Sequence, residues 1–155
     1  MWGSVGWADR PPPSPANLDG LYLTVGPLGG ATRVEGAWTT GAGAELSLVR
    51  VTERCLPAAL GIAAGGVGYT SRAGGRLWLE AEAAIGRPLP VAVGLGLGTT
   101  AEVDAVRPAR FGAQATLWLF TGILPYLRAG AVQGAGAFVE AGIMIKIPAI
   151  KLFSY

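Results

Sequence analysis

A two-residue alternation between residues 76 and 147 constrains the fold of this chain more than any other feature. One set of alternate positions is aliphatic, and the other mixes charged residues, large aromatics and glycines. The aliphatic set includes Leu77, Leu79, Val93, Leu95, Leu97, Leu117, Leu119, Leu127, Ile143 and Ile145. The charged residues of these segments all fall on the mixed set: Arg76, Glu80, Glu82, Glu102, Arg110, Arg128, Glu140 and Lys146. Because successive side chains of a strand point to opposite faces, the pattern predicts strands with one apolar face and one mixed face.

The composition limits what such strands can build. Of 155 residues, 51% are hydrophobic and only 14% are charged, against roughly 25% charged in an ordinary soluble domain. No run of about 18 apolar residues is free of Gly, Pro or charge, so a membrane helix is not expected. The 25 glycines and 11 prolines also disfavour helices. Two possibilities remain, a transmembrane barrel or a subunit that buries its surface in an assembly.

Turn residues divide the chain into eight predicted strands. The predicted ranges are 20–33, 42–53, 58–70, 76–86, 90–103, 110–121, 126–132 and 138–147. The connections, among them Val34–Gly41 and Gly122–Pro125, carry Gly, Pro or charge. Short connections between consecutive strands predict an all-β fold, an eight-stranded antiparallel up-and-down barrel whose closure removes free edges.

The domain boundaries follow from the same turn residues, above all the prolines. Residues 1–18, which are rich in proline, are expected to form an N-terminal arm, and residues 19–148 the barrel. Pro148 is expected to end the last strand and to leave residues 149–155 as a C-terminal tail. Gly26-Pro27 and Gly29-Gly30 are expected to bend or bulge the first strand.

The glycines indicate which face is inside. Gly94, Gly96 and Gly98 share the mixed face with large aromatics, as expected for a narrow interior that must combine large and tiny residues. The predicted interior polar network comprises Glu80, Glu82, Glu102, Gln114, Arg128, Glu140 and Lys146. The predicted interior aromatics are Trp78, Trp118, Phe120, Tyr126 and Phe138. The aromatics could line a pocket for an apolar ligand, but in so narrow a barrel these residues are expected to plug the lumen, and the ten aliphatic residues named above would face lipid.

With this pattern, the segment from Gly20 to Pro148 resembles the small eight-stranded outer-membrane barrels of the outer-membrane protein A and X type. The resemblance is one of dyad repeat and filled polar interior, and no signature motif carries it. The loops here are shorter than those families usually have. Those families also usually end on a strand with a terminal aromatic, whereas here Pro148 is expected to end the last strand and a short tail follows. The candidates for an aromatic girdle are few: Trp2, Trp7, Trp38, Phe111, Phe153 and Tyr155.

The residue types exclude most chemistry. The chain has no histidine, which removes Ser-His-Asp triads and histidine metal sites. The single Cys55 has no histidine to activate it, and the pair Glu80 and Glu82 is better explained by interior ion pairing. The alternating glycines at 94, 96 and 98 are not followed by a helix or by Gly-Lys-Ser/Thr, so they do not predict a phosphate loop. We therefore expect no catalytic residues, no cofactor and no metal.

The resulting prediction is a non-enzymatic integral outer-membrane barrel with a structural, anchoring or interaction role. Its expected partners are membrane lipid or detergent, with envelope proteins or a second copy as further candidates; a net charge of +2 gives no reason to expect nucleic acid. Met1–Arg10 does not read as a signal peptide, so export would imply a processed form. Two alternatives stay open: a barrel subunit that buries its apolar wall against partners, and a lipocalin-like carrier of an apolar ligand with the aliphatic face inward.

Overall fold

A computed structural model describes residues 18–52, 56–86, 92–121 and 123–153 of the chain. Its regular elements are all strands: β1 (Gly20–Val34), β2 (Ala37–Val51), β3 (Ala59–Tyr69), β4 (Gly75–Gly86), β5 (Ala92–Val103), β6 (Arg110–Phe120), β7 (Leu124–Val132), β8 (Gly136–Met144) and β9 (Ile147–Phe153). No helix in the described ranges is long and apolar enough to cross a membrane. The predicted N-terminal arm and Cys55 lie outside these ranges, apart from Leu18.

The strands form one closed antiparallel barrel. Each strand from β1 to β7 pairs with the next along the chain, and β1 also pairs with β8 and β9. Strands β8 and β9 lie end to end against β1, with β8 along Leu28–Val34 and β9 along Leu21–Val25. They therefore act as two halves of one wall strand. The predicted eight-stranded up-and-down barrel is confirmed.

The first hairpin is longer than predicted. The segment Val34–Gly41 was expected to be a turn, but only Glu35 and Gly36 turn, and β2 begins at Ala37. Both turn residues have positive φ, 52° and 82°, which is the geometry of the two-residue hairpin turn whose twist matches the flanking strands. The prediction was wrong because such a turn needs only two residues, which leaves residues 37–41 free to pair with β1.

The C-terminal end also differs from the prediction. Pro148 does not end the wall, because β9 runs from Ile147 to Phe153 and pairs with β1. The irregularity expected at Gly26-Pro27 and Gly29-Gly30 does not break the pairing of β1 with β2, whose register is continuous from Gly20 to Val34. Register shifts occur instead in the pairing of β1 with β9, between Leu21 and Tyr22 and between Leu23 and Thr24. The interruption lies opposite, at residues 145 and 146, where the Ile145 amide donates to the Pro27 carbonyl. A Cβ on Gly26 would lie 1.8 Å from the Ile145 carbonyl oxygen, so Gly26 makes room for the break.

β7 begins two residues earlier than predicted. The sequence placed Leu124 and Pro125 in a turn, whereas they pair with Met144 and Ile143 of β8. Leu124 is only 2% exposed and packs with Met144 in the interior cluster. That burial makes the strand begin two residues before its predicted start, so that it includes Pro125, which is exposed.

Candidate functional site

The centre of the lumen is organised around the carboxylate of Glu140, which is 1% exposed. Its Oε2 accepts hydrogen bonds from Thr32 (2.8 Å) and Arg76 (2.9 Å). Its Oε1 accepts from Tyr126 (2.8 Å) and Arg128 (3.2 Å). These donors come from β1, β4 and β7, so one carboxylate on β8 ties together strands from all around the barrel. A buried carboxylate needs this number of donors to offset its loss of hydration.

The two buried arginines extend the network towards opposite ends of the barrel. Arg76 approaches Glu102 (3.4 Å) and donates to the Tyr69 hydroxyl (2.9 Å), which itself donates to Glu102. Arg72, in the loop after β3, adds a second cation to Glu102. The guanidinium of Arg76 also lies 3.5 Å from the ring centroid of Phe138, a cation–π contact that adds to its ion pairs.

Arg128 links the centre to a second group of carboxylates. Its Nε donates to Thr116 (3.0 Å), whose hydroxyl donates to Glu80 (2.9 Å). Its guanidinium also lies 3.9 Å from the ring centroid of Trp78. The Trp78 indole N–H in turn donates to Glu45 (3.0 Å). Arg128 is therefore held by hydrogen bonds, charge and a ring face together.

The third part of the network surrounds Lys146, in the break between β8 and β9. Its Nζ lies 2.6 Å from Glu82 Oε2 and 3.0 Å from Glu45 Oε1. The other oxygen of Glu82, Oε1, is buried and has no hydrogen-bond partner among the described residues. The charges are thus paired around Lys146, but the capacity of Glu82 to accept hydrogen bonds is not filled.

Large interior rings lie over glycines of the neighbouring strand. Four such pairs are direct cross-strand neighbours: Trp78 with Gly65, Trp118 with Gly94, Phe138 with Gly130 and Tyr126 with Gly142. A Cβ at these glycines would meet the aromatic side chain at 2.0 to 2.8 Å. The glycines therefore provide the space that the aromatics fill, which is why both residue types share the inner face.

The outer surface carries the aliphatic set. The ten residues of this aliphatic wall are each between 37% and 58% exposed. On the same face, Trp38, Phe111 and Phe153 are more than 60% exposed and lie near strand ends. Trp2, Trp7 and Tyr155, the other girdle candidates, lie outside the described residues. The structure thus has an apolar outer belt and a charged, filled interior.

The structure brings the predicted interior residues together. Glu80, Glu82, Glu102, Gln114, Arg128 and Glu140 are all buried, and Lys146 is 12% exposed at its side chain. Trp78, Tyr126 and Phe138 are buried, while Trp118 and Phe120 are half-buried and pack against the interior cluster. Sequence reasoning missed five members of the network: Thr32, Glu45, Tyr69, Arg72 and Thr116. The alternation of Glu45 with Leu46 and Leu48 was the available signal, whereas the phase of Tyr69 was obscured by the glycines before it.

A separate group of charges lies at the rim formed by the turns after β1, β3, β5 and β7. Glu35 lies 2.9 Å from Arg110, 3.7 Å from Arg107 and 3.8 Å from Arg72. The hydrogen bond from Arg110 and the three positive charges hold the pKa of Glu35 below its usual value of 4.5. Arg110 also donates to the carbonyl oxygen of Gly134 (3.0 Å) in the turn after β7, so this rim cluster joins four turns that are far apart in sequence.

Comparison with known proteins supports the fold and goes no further. No family model and no curated protein sequence matches the chain. Among solved structures, Neisserial surface protein A is similar, with a TM-score of 0.55 and 13% sequence identity over 83% of this chain and 96% of that one. At that identity the likeness concerns backbone architecture alone. The chain has the fold of a small eight-stranded outer-membrane barrel.

Proposed function

We propose that this protein is a non-enzymatic integral membrane barrel of the outer-membrane type, with a structural, anchoring or interaction role. The observation that carries the proposal is that the inner face is charged and the outer face is apolar, which is the opposite of a water-soluble barrel. Arg76, Arg128 and Glu140 are at most 1% exposed, while Leu79, Leu97 and Ile143 are each more than 50% exposed. Water outside such a barrel would leave the aliphatic belt exposed at a large cost in free energy.

Lipid explains the distribution better than water does. A closed barrel satisfies its backbone hydrogen bonds within the wall, which is the condition for strands to lie in hydrocarbon. The interior network then supplies the polar filling seen in narrow outer-membrane barrels. The backbone likeness to Neisserial surface protein A is consistent with the same setting.

The proposal includes a lumen that does not conduct. The side chains of Arg76, Arg128, Trp78 and Glu140 meet across the barrel and are at most 4% exposed. An open water channel would expose these groups. We therefore expect planar bilayers containing the protein to show no steady conductance above background, and regular single-channel steps would contradict this part of the proposal.

Of the alternatives, the carrier with its aliphatic face inward is wrong, because that face lies outside. The assembly subunit differs from the membrane barrel only in what covers the wall. Cell fractionation of the natural host tests this directly. The membrane barrel should stay in the membrane pellet through carbonate washing, dissolve only in detergent, and migrate on gels at a different position when unheated. A monomer that remains soluble without detergent would overturn the proposal, and a complex that stays large both in buffer and in detergent would favour the assembly.

A further inference from the structure

The end of the barrel that contains both chain termini of the described wall holds a cavity of about 340 Å³. Its walls are mainly aliphatic and aromatic, with Trp118, Phe120, Leu124 and Ala84 among them. Most of these residues lie within two positions of a strand end. The volume is within the range of about 300–1,000 Å³ that is usual for small-molecule sites. The cavity is distinct from the packed centre of the lumen.

Two residues of the lining each have a buried polar atom with unused hydrogen-bonding capacity. The Thr24 hydroxyl oxygen and Glu82 Oε1 are both buried and have no hydrogen-bond partner among the described residues. Both residues line this cavity, together with Lys146. Glu82 lies four positions inside the end of β4 and is 4% exposed. A buried acceptor without a donor costs about 1–3 kcal/mol, so a donor that enters the cavity would be stabilised there.

The charges of the lumen also favour a ligand whose polar end donates hydrogen bonds. Five buried carboxylates lie in the described interior: Glu45, Glu80, Glu82, Glu102 and Glu140. Four cations contact them, namely Arg72, Arg76, Arg128 and Lys146. The interior therefore has one carboxylate more than cations, and the oxygen left without a donor belongs to Glu82. An anionic head group would meet this excess negative charge, whereas an ammonium or hydroxyl group would donate to it.

We propose that this cavity binds a single-chain amphiphile whose polar head donates hydrogen bonds to Glu82 and Thr24 while its apolar chain lies against Trp118, Phe120 and Leu124. The site is inside the barrel, so its occupancy does not depend on whether lipid or protein covers the outer wall. A failure of ligand binding and a failure of membrane insertion are thus separate results.

The test uses three probes with the same chain, dodecylamine, dodecanol and dodecanoate, added to the full chain refolded in detergent. Native mass spectrometry counts the molecules that remain on the barrel after the detergent is removed. We expect one amine or one alcohol per barrel, at an affinity at least tenfold above that of dodecanoate. Equal retention of all three probes, stronger retention of dodecanoate, or no retention of any probe would overturn the proposal; the last result would also be expected if another segment of the chain filled the cavity.

Matched variants test whether the probes bind in this cavity or on the outer wall. Ala84 is 3% exposed and lines the cavity, so Ala84→Phe should reduce amine and alcohol retention at least tenfold. Ala81→Phe, on the outer face of the same strand, should leave retention unchanged. If Ala84→Phe does not fold, Ala92→Phe fills the same cavity from β5. Glu82→Gln should weaken the amine more than the alcohol. Equal loss in the Ala81 and Ala84 variants would show that the probes bind the outer wall instead.

Discussion

The indole ring of Trp118 lies directly over Gly94, its cross-strand neighbour on β5, so that a methyl group at residue 94 would meet ring atoms at 2.0 Å. The space above the glycine is the space that the ring occupies. Gly65 has the same relationship to Trp78 on β4. The inner face therefore depends on pairs of residues, one very small and one very large, placed opposite each other on neighbouring strands.

Gly94→Ala should destabilise the barrel because the added methyl group would displace the Trp118 ring or the backbone. Overpacking of this kind costs about 1–3 kcal/mol. The matched control is Gly68→Ala on β3, where the nearest heavy atom would be 4.0 Å away and the backbone conformation suits alanine. Urea unfolding in lipid vesicles, followed by tryptophan fluorescence, measures both. Equal stability of the two variants would contradict the pairing of ring and glycine.

Arg128→Met should cost about 3–5 kcal/mol in unfolding free energy, because it leaves buried carboxylates, Glu140 above all, without their cation. Arg107→Met is the control, since Arg107 is 59% exposed at its side chain and lies 3.7 Å from Glu35 at the rim. An exposed pair of this kind contributes about 0–1 kcal/mol. The same urea experiment compares the two variants. A loss no greater than that of Arg107→Met would show that the interior network does not stabilise the fold.

The second arm of this experiment adds Glu140→Gln to Arg128→Met. Because the two groups are hydrogen-bonded at 3.2 Å, the double variant should be destabilised by less than the sum of the single variants. Additive losses would indicate that Arg128 acts through Trp78 and Thr116 and not through Glu140.

The rim cluster predicts a small dependence of stability on acid. Since the pKa of Glu35 is held below 4.5 in the folded protein, its ion pairs contribute stability above the unfolded pKa, and this contribution disappears as the pH falls through the lower, folded value. The unfolding midpoint of the natural chain should therefore exceed that of Glu35→Gln at pH 6, and the difference should disappear as the pH falls through the folded pKa of Glu35, which lies below 4.5. The effect is small because Glu35 is exposed to solvent.

The titration of Glu35 can be observed more directly by NMR. Arg110→Gln removes the hydrogen bond that contributes most to the shift, so it should move the pKa of Glu35 back towards 4.5. Arg33→Gln is the control, because Arg33 lies near the same turn and makes no described ion pair with Glu35. A pKa of Glu35 that does not respond to Arg110→Gln would contradict the geometry of the rim.

The sequence predicted the faces of the strands better than it predicted the contacts between them. Alternation is local, so it assigned Leu95 to the wall and Glu80 to the interior without any knowledge of pairing. Two partners of Glu140 are far from it in the chain, Thr32 by 108 residues and Arg76 by 64. Those contacts depend on how β1 closes against β8, which no local pattern encodes.

Two of the local errors and one omission have equally specific causes. The predicted turn around Glu35-Gly36 was too long, because the alternation at Trp38 and Thr39 was too weak to predict that β2 begins at Ala37. The sequence predicts that Pro148 ends the last strand, because nothing near it in the chain indicates that the wall resumes in β9. The wall resumes after a break at Lys146, and that break requires the missing side chain of Gly26 on another strand. A pocket lined by Trp118 and Phe120 could be considered from the sequence, but its place beside Glu82 was not predicted, because depth inside a barrel follows from closure and not from sequence order.

The central claim, that the aliphatic wall faces lipid, can be tested by the environment of a nitroxide label at residue 117. Leu117 is 50% exposed and pairs with Leu95 in the middle of the wall, and Val106, in the loop after β5, is 89% exposed and serves as the control. Each is changed to Cys in a Cys55→Ser background, labelled, and measured in lipid vesicles by collision with oxygen and with a water-soluble nickel complex. We predict high oxygen and low nickel collision at residue 117, with the reverse at residue 106. High nickel collision at residue 117 would contradict the claim, and so would protection of that label from both reagents, which would indicate a wall covered by protein.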